Sequence, residues 1–229
     1  MKKIILIAFS LLVLITVTSC SNYYVLTKVS SFGAVPPQKT YYILHSNNEI
    51  QADDIEFKWY AEYVDYALAK QGYKKINDYD SASLLILIDY AISEPINYTV
   101  STPVLGEIGT GVFETKKTIK KDGNETTITK ESKEKKTIGV TGYKLENITE
   151  YVKSFNIYCY DLFDWRTSKK EKMYWKANVK TTNSSDDLRY SFPYLVYSAS
   201  FYFEKNSVNQ RELEIRKNGS AIKKFYDWD

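Results

Sequence analysis

Histidine and cysteine are scarce. The chain of 229 residues holds one His and two Cys, too few for a structural zinc cage or a disulfide scaffold to underlie the fold. Five Pro and nine Gly exclude a collagen-like or Pro-Gly low-complexity chain. Charge of one sign is missing too: 31 Lys and Arg stand against 28 Asp and Glu. Setting aside Lys2 and Lys3 leaves 29 against 28, and backbone recognition of nucleic acid draws on a surplus of basic side chains on one face, so no nucleic-acid partner is expected. Phosphate loops, dinucleotide fingerprints and nucleophile elbows are absent, and Gly106, Gly109 and Gly111 lack the strand and helix that give such a motif meaning. What is present is 44% hydrophobic and 26% charged residues with 21 Tyr, the composition of a folded globular chain whose length suits one domain once a leader is removed.

That leader is the strongest signal. Lys2 and Lys3 precede an apolar run from Ile4 to Val17 broken only by Ser10 and Thr16. The run is shorter than the ~20 residues that span a bilayer, so export with cleavage is expected. Val17-Thr18-Ser19-Cys20 resembles the lipobox of bacterial lipoproteins, which implies cleavage after residue 19 and lipidation of Cys20. Two or three acyl chains, at about 0.8 kcal/mol per buried methylene, hold a protein on a bilayer permanently. The membrane is thus one expected partner, through Cys20. No Asp follows the Cys, which by analogy with sorting in other lipoproteins favours the outer membrane, facing the periplasm. Cys159 is then the single free thiol of the mature chain. Asn-x-Ser/Thr sites at Asn97, Asn124, Asn147, Asn183 and Asn218 would matter only in a eukaryotic secretory route.

Residues 20–39, with Gly33, Pro36 and Pro37, suit a lipidated tether, and residues 40–229 a single domain. Thr40 to Leu44 reads as its first strand. Asp53 and Asp54 offer an N-cap and Gly72 a stop, with Phe57, Tyr60, Ala61, Val64 and Leu68 at helical spacing between them. Ser83 to Ile92 (SLLILIDYAI) is apolar enough for a central strand covered on both faces, with Asp89 its weak point. Phe155, Ile157 and Cys159 alternate with Asn156, Tyr158 and Tyr160, and Met173, Trp175, Ala177 and Val179 alternate with Tyr174, Lys176, Asn178 and Lys180. The two half-buried strands are expected to pair antiparallel across a polar hairpin connection, Asp164 to Lys172. Pro193 suits the first turn of a second helix reaching Phe203, with Phe192, Val196, Ala199 and Phe203 on one face. Asn218-Gly219 suits a type I′ hairpin turn.

Residues 99–147 interrupt this order with six glycines in a Thr- and Lys-rich stretch centred on Asp122-Gly123-Asn124, a long projecting β-hairpin. Lys116 to Lys136 holds eight Lys against one Asp and three Glu, which polarises the protein electrically. The expected class is α+β: a mixed, mostly antiparallel sheet backed by two helices, with that hairpin.

Taken in order, Cys20, Phe32, Thr40-Tyr41, Ala67 to Tyr73 (ALAKQGY), Leu84 to Ile88, Pro103-Val104 with Gly106, Gly139 to Tyr143 (GVTGY), Tyr160-Asp161 and Tyr174-Trp175 resemble an uncharacterised group of bacterial lipoproteins that share a domain of unknown function. The resemblance covers residues 32 to about 205. It implies an α+β domain with a sheet backed by helices, and it supplies no catalytic residues or cofactor. The charged segment from Lys116 to Lys136 departs from the Gly-, Ser-, Thr- and Tyr-rich tip that the group carries there.

A cysteine hydrolase would need Cys159 as nucleophile and His45 as base, yet Cys159 falls on the apolar phase of its strand. Asp161 with Asp164, or Asp186 with Asp187, could form a glycosidase pair, but paired carboxylates are common at turns and N-caps. Neither is expected to be catalytic. Trp59, Tyr63 and Tyr66 form a second aromatic stripe on the first helix, either a packing layer or a protein-partner patch. Lys116, Lys117, Lys120 and Lys121 are either solvated or a contact for anionic headgroups or acidic wall polymers. The sequence therefore leads us to expect a non-enzymatic, cofactor-free lipoprotein of the bacterial cell envelope, a binding or assembly module for an envelope protein or cell-wall polymer. The alternative is a carbohydrate or peptidoglycan binder using exposed Tyr and Trp.

Overall fold

Period-two alternation shapes most of the molecule. The structure, a computed structural model, describes the backbone of residues 24–122, 125–168 and 171–227, and their side chains except 109–136 and 168. The elements in chain order are β1 (Tyr24–Gly33), β2 (Thr40–His45), α1 (Ile55–Lys70), β3 (Lys74–Lys75), β4 (Leu84–Ile92), β5 (Ile96–Asp122), β6 (Glu125–Asp161), α2 (Leu162–Ser168), β7 (Met173–Asn183), α3 (Leu188–Ser200), β8 (Arg211–Arg216) and α4 (Ser220–Tyr226). They fall into two compact units: one runs to Pro95 and resumes at Glu150, the other is Ile96–Thr149.

In the first unit the strand order is β3-β2-β4-β6-β7-β1-β8. β2 pairs parallel with β3 and β4, which demands a crossover, and α1 supplies it. The remaining pairs are antiparallel. The fold is therefore α+β with a mixed, mostly antiparallel sheet, as the sequence implies.

One face of the sheet carries Tyr41 and Ile43 from β2, Leu84, Ile86 and Ile88 from β4, Phe155, Ile157 and Cys159 from β6, and Trp175, Ala177 and Val179 from β7, all buried. Phe57, Tyr60, Val64 and Leu68 of α1 and Phe192, Leu195, Val196 and Ala199 of α3 close that core. α1 begins where Asp54 Oδ1 accepts from the Phe57 N–H at 2.9 Å and ends at Gly72, whose φ of +82° is the left-handed conformation that favours glycine. Trp175 stacks on Phe203 with ring centroids 4.8 Å apart, and its indole N–H donates to Tyr73 Oη at 2.8 Å. Tyr73 in turn donates to Glu204 at 2.7 Å, which Lys39 pairs at 2.6 Å. Gly33 lies opposite Trp175, and a Cβ there would come within 2.0 Å of the Trp175 Cβ, so only glycine lets the strands close over that ring.

Four features differ from the sequence reading. Residues 24–33, expected within the tether, form β1, an interior strand between β7 and β8. Its inward positions are Val25, Thr27, Val29 and Ser31, and the two hydroxyls are satisfied rather than solvated: Thr27 bonds Ser198 at 2.7 Å and Ser31 donates to the Lys205 carbonyl at 3.0 Å. The stretch expected as a plain hairpin connection opens with the short helix α2, where Leu162 packs on Leu85 and Ala82 beneath the opposite face of the sheet. Pro193 lies inside α3, whose true start is Asp187, accepting from the Arg189 N–H at 2.9 Å. Asn218 takes the left-handed conformation at φ 50°, but Gly219 has φ −68°, so the pair cannot make a type I′ turn and leads instead into α4. α1 and α3 are thus the two helices that close the main core, as the sequence implies, and the described residues add two short ones, α2 and α4.

The second unit is a two-stranded ribbon in which β5 pairs with β6. Thr99 bonds Asn147 at 2.8 Å and Thr149 bonds Asn97 at 2.7 Å, cross-strand polar pairs of the kind that stabilise a solvated ribbon.

Candidate functional site

The same alternation that buries one face of the sheet leaves the other to be explained. At the α2 end, Tyr42, Leu44, Leu85 and Tyr160 of the sheet are covered by Leu162 and Trp165 of α2. Beyond them the covering stops and the chemistry changes. Asp89 on β4 faces Asn156 on β6, which faces Asn178 on β7, which faces Ser30 on β1. Asn178 Nδ2 donates to Asn156 Oδ1 at 2.7 Å, and Asn156 Nδ2 donates to Asp89 Oδ2 at 2.9 Å. This polar row crosses four strands, about 14 Å at the usual strand spacing. Two residues along each strand lies a parallel row of Ser154, Lys180 and Lys28, continued by Glu212 on β8. Lys28, Ser30, Ser154, Asn156, Asn178 and Lys180 of these rows line, with Gln210, an open hollow of about 410 Å³, within the usual size of small-ligand sites.

Electrostatics sets this hollow apart from an ordinary solvated face. Lys28 and Lys180 are direct cross-strand partners, and like charges in that position are destabilising. Glu212 pairs with Lys28 at 3.2 Å; no ion pair among the described residues reaches Lys180. On the other side of the polar row come Tyr158, Lys176 and Phe32, again direct partners. Phe32 is 65% exposed and Tyr158 half-buried. The ring of Tyr158 stacks beside that of Tyr160 with an interplanar angle of 27°.

The residues singled out in the sequence fall elsewhere. Cys159 is fully buried on the helix-covered face, where burial pushes its thiol well above the ordinary range, so it is a small hydrophobe rather than a nucleophile. His45 lies in the same core on β2, and β4 runs between it and the strand of Cys159. Its ring sits edge-on to Tyr90 at 4.8 Å, its Nδ1 accepts from the Asn47 N–H at 2.9 Å, and burial lowers its pKa. Asp161 and Asp187 are structural. Burial raises the Asp161 pKa, but the Asp164 N–H, Tyr174 Oη and Lys172 outweigh it and hold the carboxyl low. Asp187 caps α3. Among the described residues no group of three His, Cys, Asp or Glu could hold a metal, and no helix is long and apolar enough to cross a membrane.

Tyr63 and Tyr66 of the aromatic stripe meet α4: Tyr63 packs on Tyr226 at 5.2 Å, and Tyr66 on Phe225 at 6.0 Å. Trp59 rests on Tyr60 and Tyr63 and stays half-buried. The stripe therefore seats the C-terminal helix. Lys116, Lys117, Lys120 and Lys121 belong to β5, with side chains outside the described residues, and Cys20 also lies outside them.

The rows on the open face were present in the sequence only as the outward phase of each strand. Their alignment into one hollow is a matter of register.

No protein-family model and no curated protein matches the chain. Among solved structures it is similar to a crystal structure of a PDZ domain protein from Parabacteroides distasonis, at 12% identity over 84% of this chain and 39% of that one, with a TM-score of 0.33. The chain thus spans about two-fifths of that protein's length, and at this level of likeness neither fold nor function is carried across.

Proposed function

We propose that the protein is a lipid-anchored binding module of the bacterial cell envelope, held at the outer membrane through Cys20, and that it acts without catalysis through the open face of its sheet. The observation that carries this reading is the pair of polar rows crossing β6, β7 and β1. Amides, hydroxyls and ammonium groups converge there on a hollow, while the thiol and imidazole that could do chemistry are buried on the other face. The anchor is tested by metabolic labelling with an alkyne-bearing fatty acid. The wild type takes the label and pellets with membranes, whereas Cys20→Ser takes none; a wild type without label would contradict the anchor. The binding face is tested by co-sedimentation of the full-length protein with isolated envelope material. Asn156→Ala combined with Asn178→Ala should abolish binding, and undiminished binding would remove the face from the proposal.

A carbohydrate or peptidoglycan ligand is favoured over a protein by one feature. Rings in the row of Tyr158 and Phe32 flank the hydrogen-bonding row directly, so a sugar could stack on an aromatic while its hydroxyls meet the amides. The Trp59, Tyr63 and Tyr66 stripe, by contrast, is largely occupied with α4.

A further inference from the structure

Resting on that reading of the open face, we propose that the hollow binds an acidic sugar, with its carboxylate on Lys180 and Lys28 and its hydroxyls on Asn156, Asn178 and Ser30.

Two neutral rows of Asn and Ser would suffice for a neutral saccharide. The second row is not neutral. Its centre is two lysines set directly opposite each other, an arrangement that costs stability in the free protein and is relieved when an anion sits between them. Glu212 offsets only the Lys28 side, at 3.2 Å and with both side chains about half exposed, so it is a weak pair that a ligand carboxylate can share or displace. Lys176 lies two residues from Asn178 on the same face and adds a third ammonium. The acidic groups on this face are Glu212, Glu214 and Asp89; Glu214 lies opposite Leu26, one step along β8 beyond Glu212, and Asp89 is engaged by Asn156 at 2.9 Å. That bond fixes the amide orientation along the row. Asn156 gives its N–H to Asp89 and its oxygen to Asn178, which leaves Asn178 its own oxygen and second N–H for a hydroxyl that both donates and accepts.

The dimensions agree. Adjacent strands lie about 4.8 Å apart and the two rows about 6.6 Å apart along the strands, so a carboxylate on the lysine row and ring hydroxyls on the amide row sit one residue pair apart on a single sugar. Phe32 and Tyr158, on the far side of the amide row, are placed for the ring faces of neighbouring units in a chain.

The test is calorimetric titration of the full-length, lipidated protein in detergent micelles with trigalacturonate, cellotriose and inorganic phosphate. Trigalacturonate is expected to bind at least about tenfold more tightly than cellotriose, because a charge-assisted hydrogen bond adds about that factor. Lys180→Gln should weaken trigalacturonate about tenfold, far more than it weakens cellotriose; its thermal melt, measured alongside, should not fall, because the side chain is exposed. Raising the salt should weaken trigalacturonate alone. Equal binding of both sugars, unaffected by Lys180→Gln, would overturn the acidic specificity while leaving a sugar-binding face standing. Phosphate binding that depends on Lys180, without binding of either sugar, would overturn recognition of a sugar. Heat from none of the three would remove the face as a saccharide site altogether.

Discussion

The two faces of the sheet are built from the same strands, residue by residue in alternation, and they carry opposite chemistry. On β6, Phe155, Ile157 and Cys159 point into a core closed by α1 and α3, while Ser154, Asn156 and Tyr158 point away from it. On β7, Ala177 and Val179 are buried and Asn178 and Lys180 are not. The buried face is optimised for packing, down to a glycine that lets Trp175 in. The open face holds a like-charge pair that works against stability. One face therefore specifies the fold, and the other carries side chains that packing does not account for.

The contrast can be broken most severely from the buried side. Trp175→Ala removes a fully buried ring and the donor to Tyr73, and should cost about 3–5 kcal/mol, read as a lowered midpoint in urea unfolding with an unchanged slope. Gly33→Ala should cost about 1–3 kcal/mol through overpacking against the Trp175 Cβ, seen as a drop in Tm. A smaller effect comes from His45. Its folded pKa lies below the ordinary value of 6.5 because of burial, so as pH falls the unfolded chain takes up the proton first. Stability is complete above about pH 7 and is lost as pH drops from the unfolded toward the folded pKa. His45→Phe should flatten that part of a stability-against-pH curve. The smallest effect has the opposite sign. Lys180→Glu replaces a repulsive partner of Lys28 with an attractive one and should stabilise by about 0.2–1 kcal/mol, while abolishing binding of an anionic ligand. A substitution that raises Tm and destroys binding would sharpen the division between the faces.

Much of the buried face was legible in the sequence because its signals are local. Asp54, the spacing of Phe57 to Leu68 and Gly72 define α1, and the run from Leu84 to Ile88 reads as a central strand without knowledge of its neighbours. β1 was not legible, because two of its four inward positions are Thr27 and Ser31, whose partners Ser198 and Lys205 lie far along the chain. Asn218 and Gly219 suggested a hairpin because composition does not report that only the first takes positive φ. The paired aspartates read correctly as turn and cap carboxylates, whereas the aromatic stripe stayed open between packing and a partner patch, because a half-buried ring looks the same in sequence whether it seats a helix or a ligand. The candidate hollow depended on register throughout. Lys28 meets Lys180, and Asn156 meets Asn178, only after β1 has inserted between β7 and β8.

The proposed binding surface is the open face of the sheet. The most direct measurement is backbone and Asn side-chain amide shift mapping of the isotope-labelled full-length protein in micelles, titrated with solubilised cell-wall fragments. Binding at that surface predicts shifts concentrated at residues 28–30, 154–156 and 178–180, including the Asn156 and Asn178 side-chain amides. Shifts concentrated instead around Trp59, Tyr63 and Tyr66, or within residues 96–149, would contradict it.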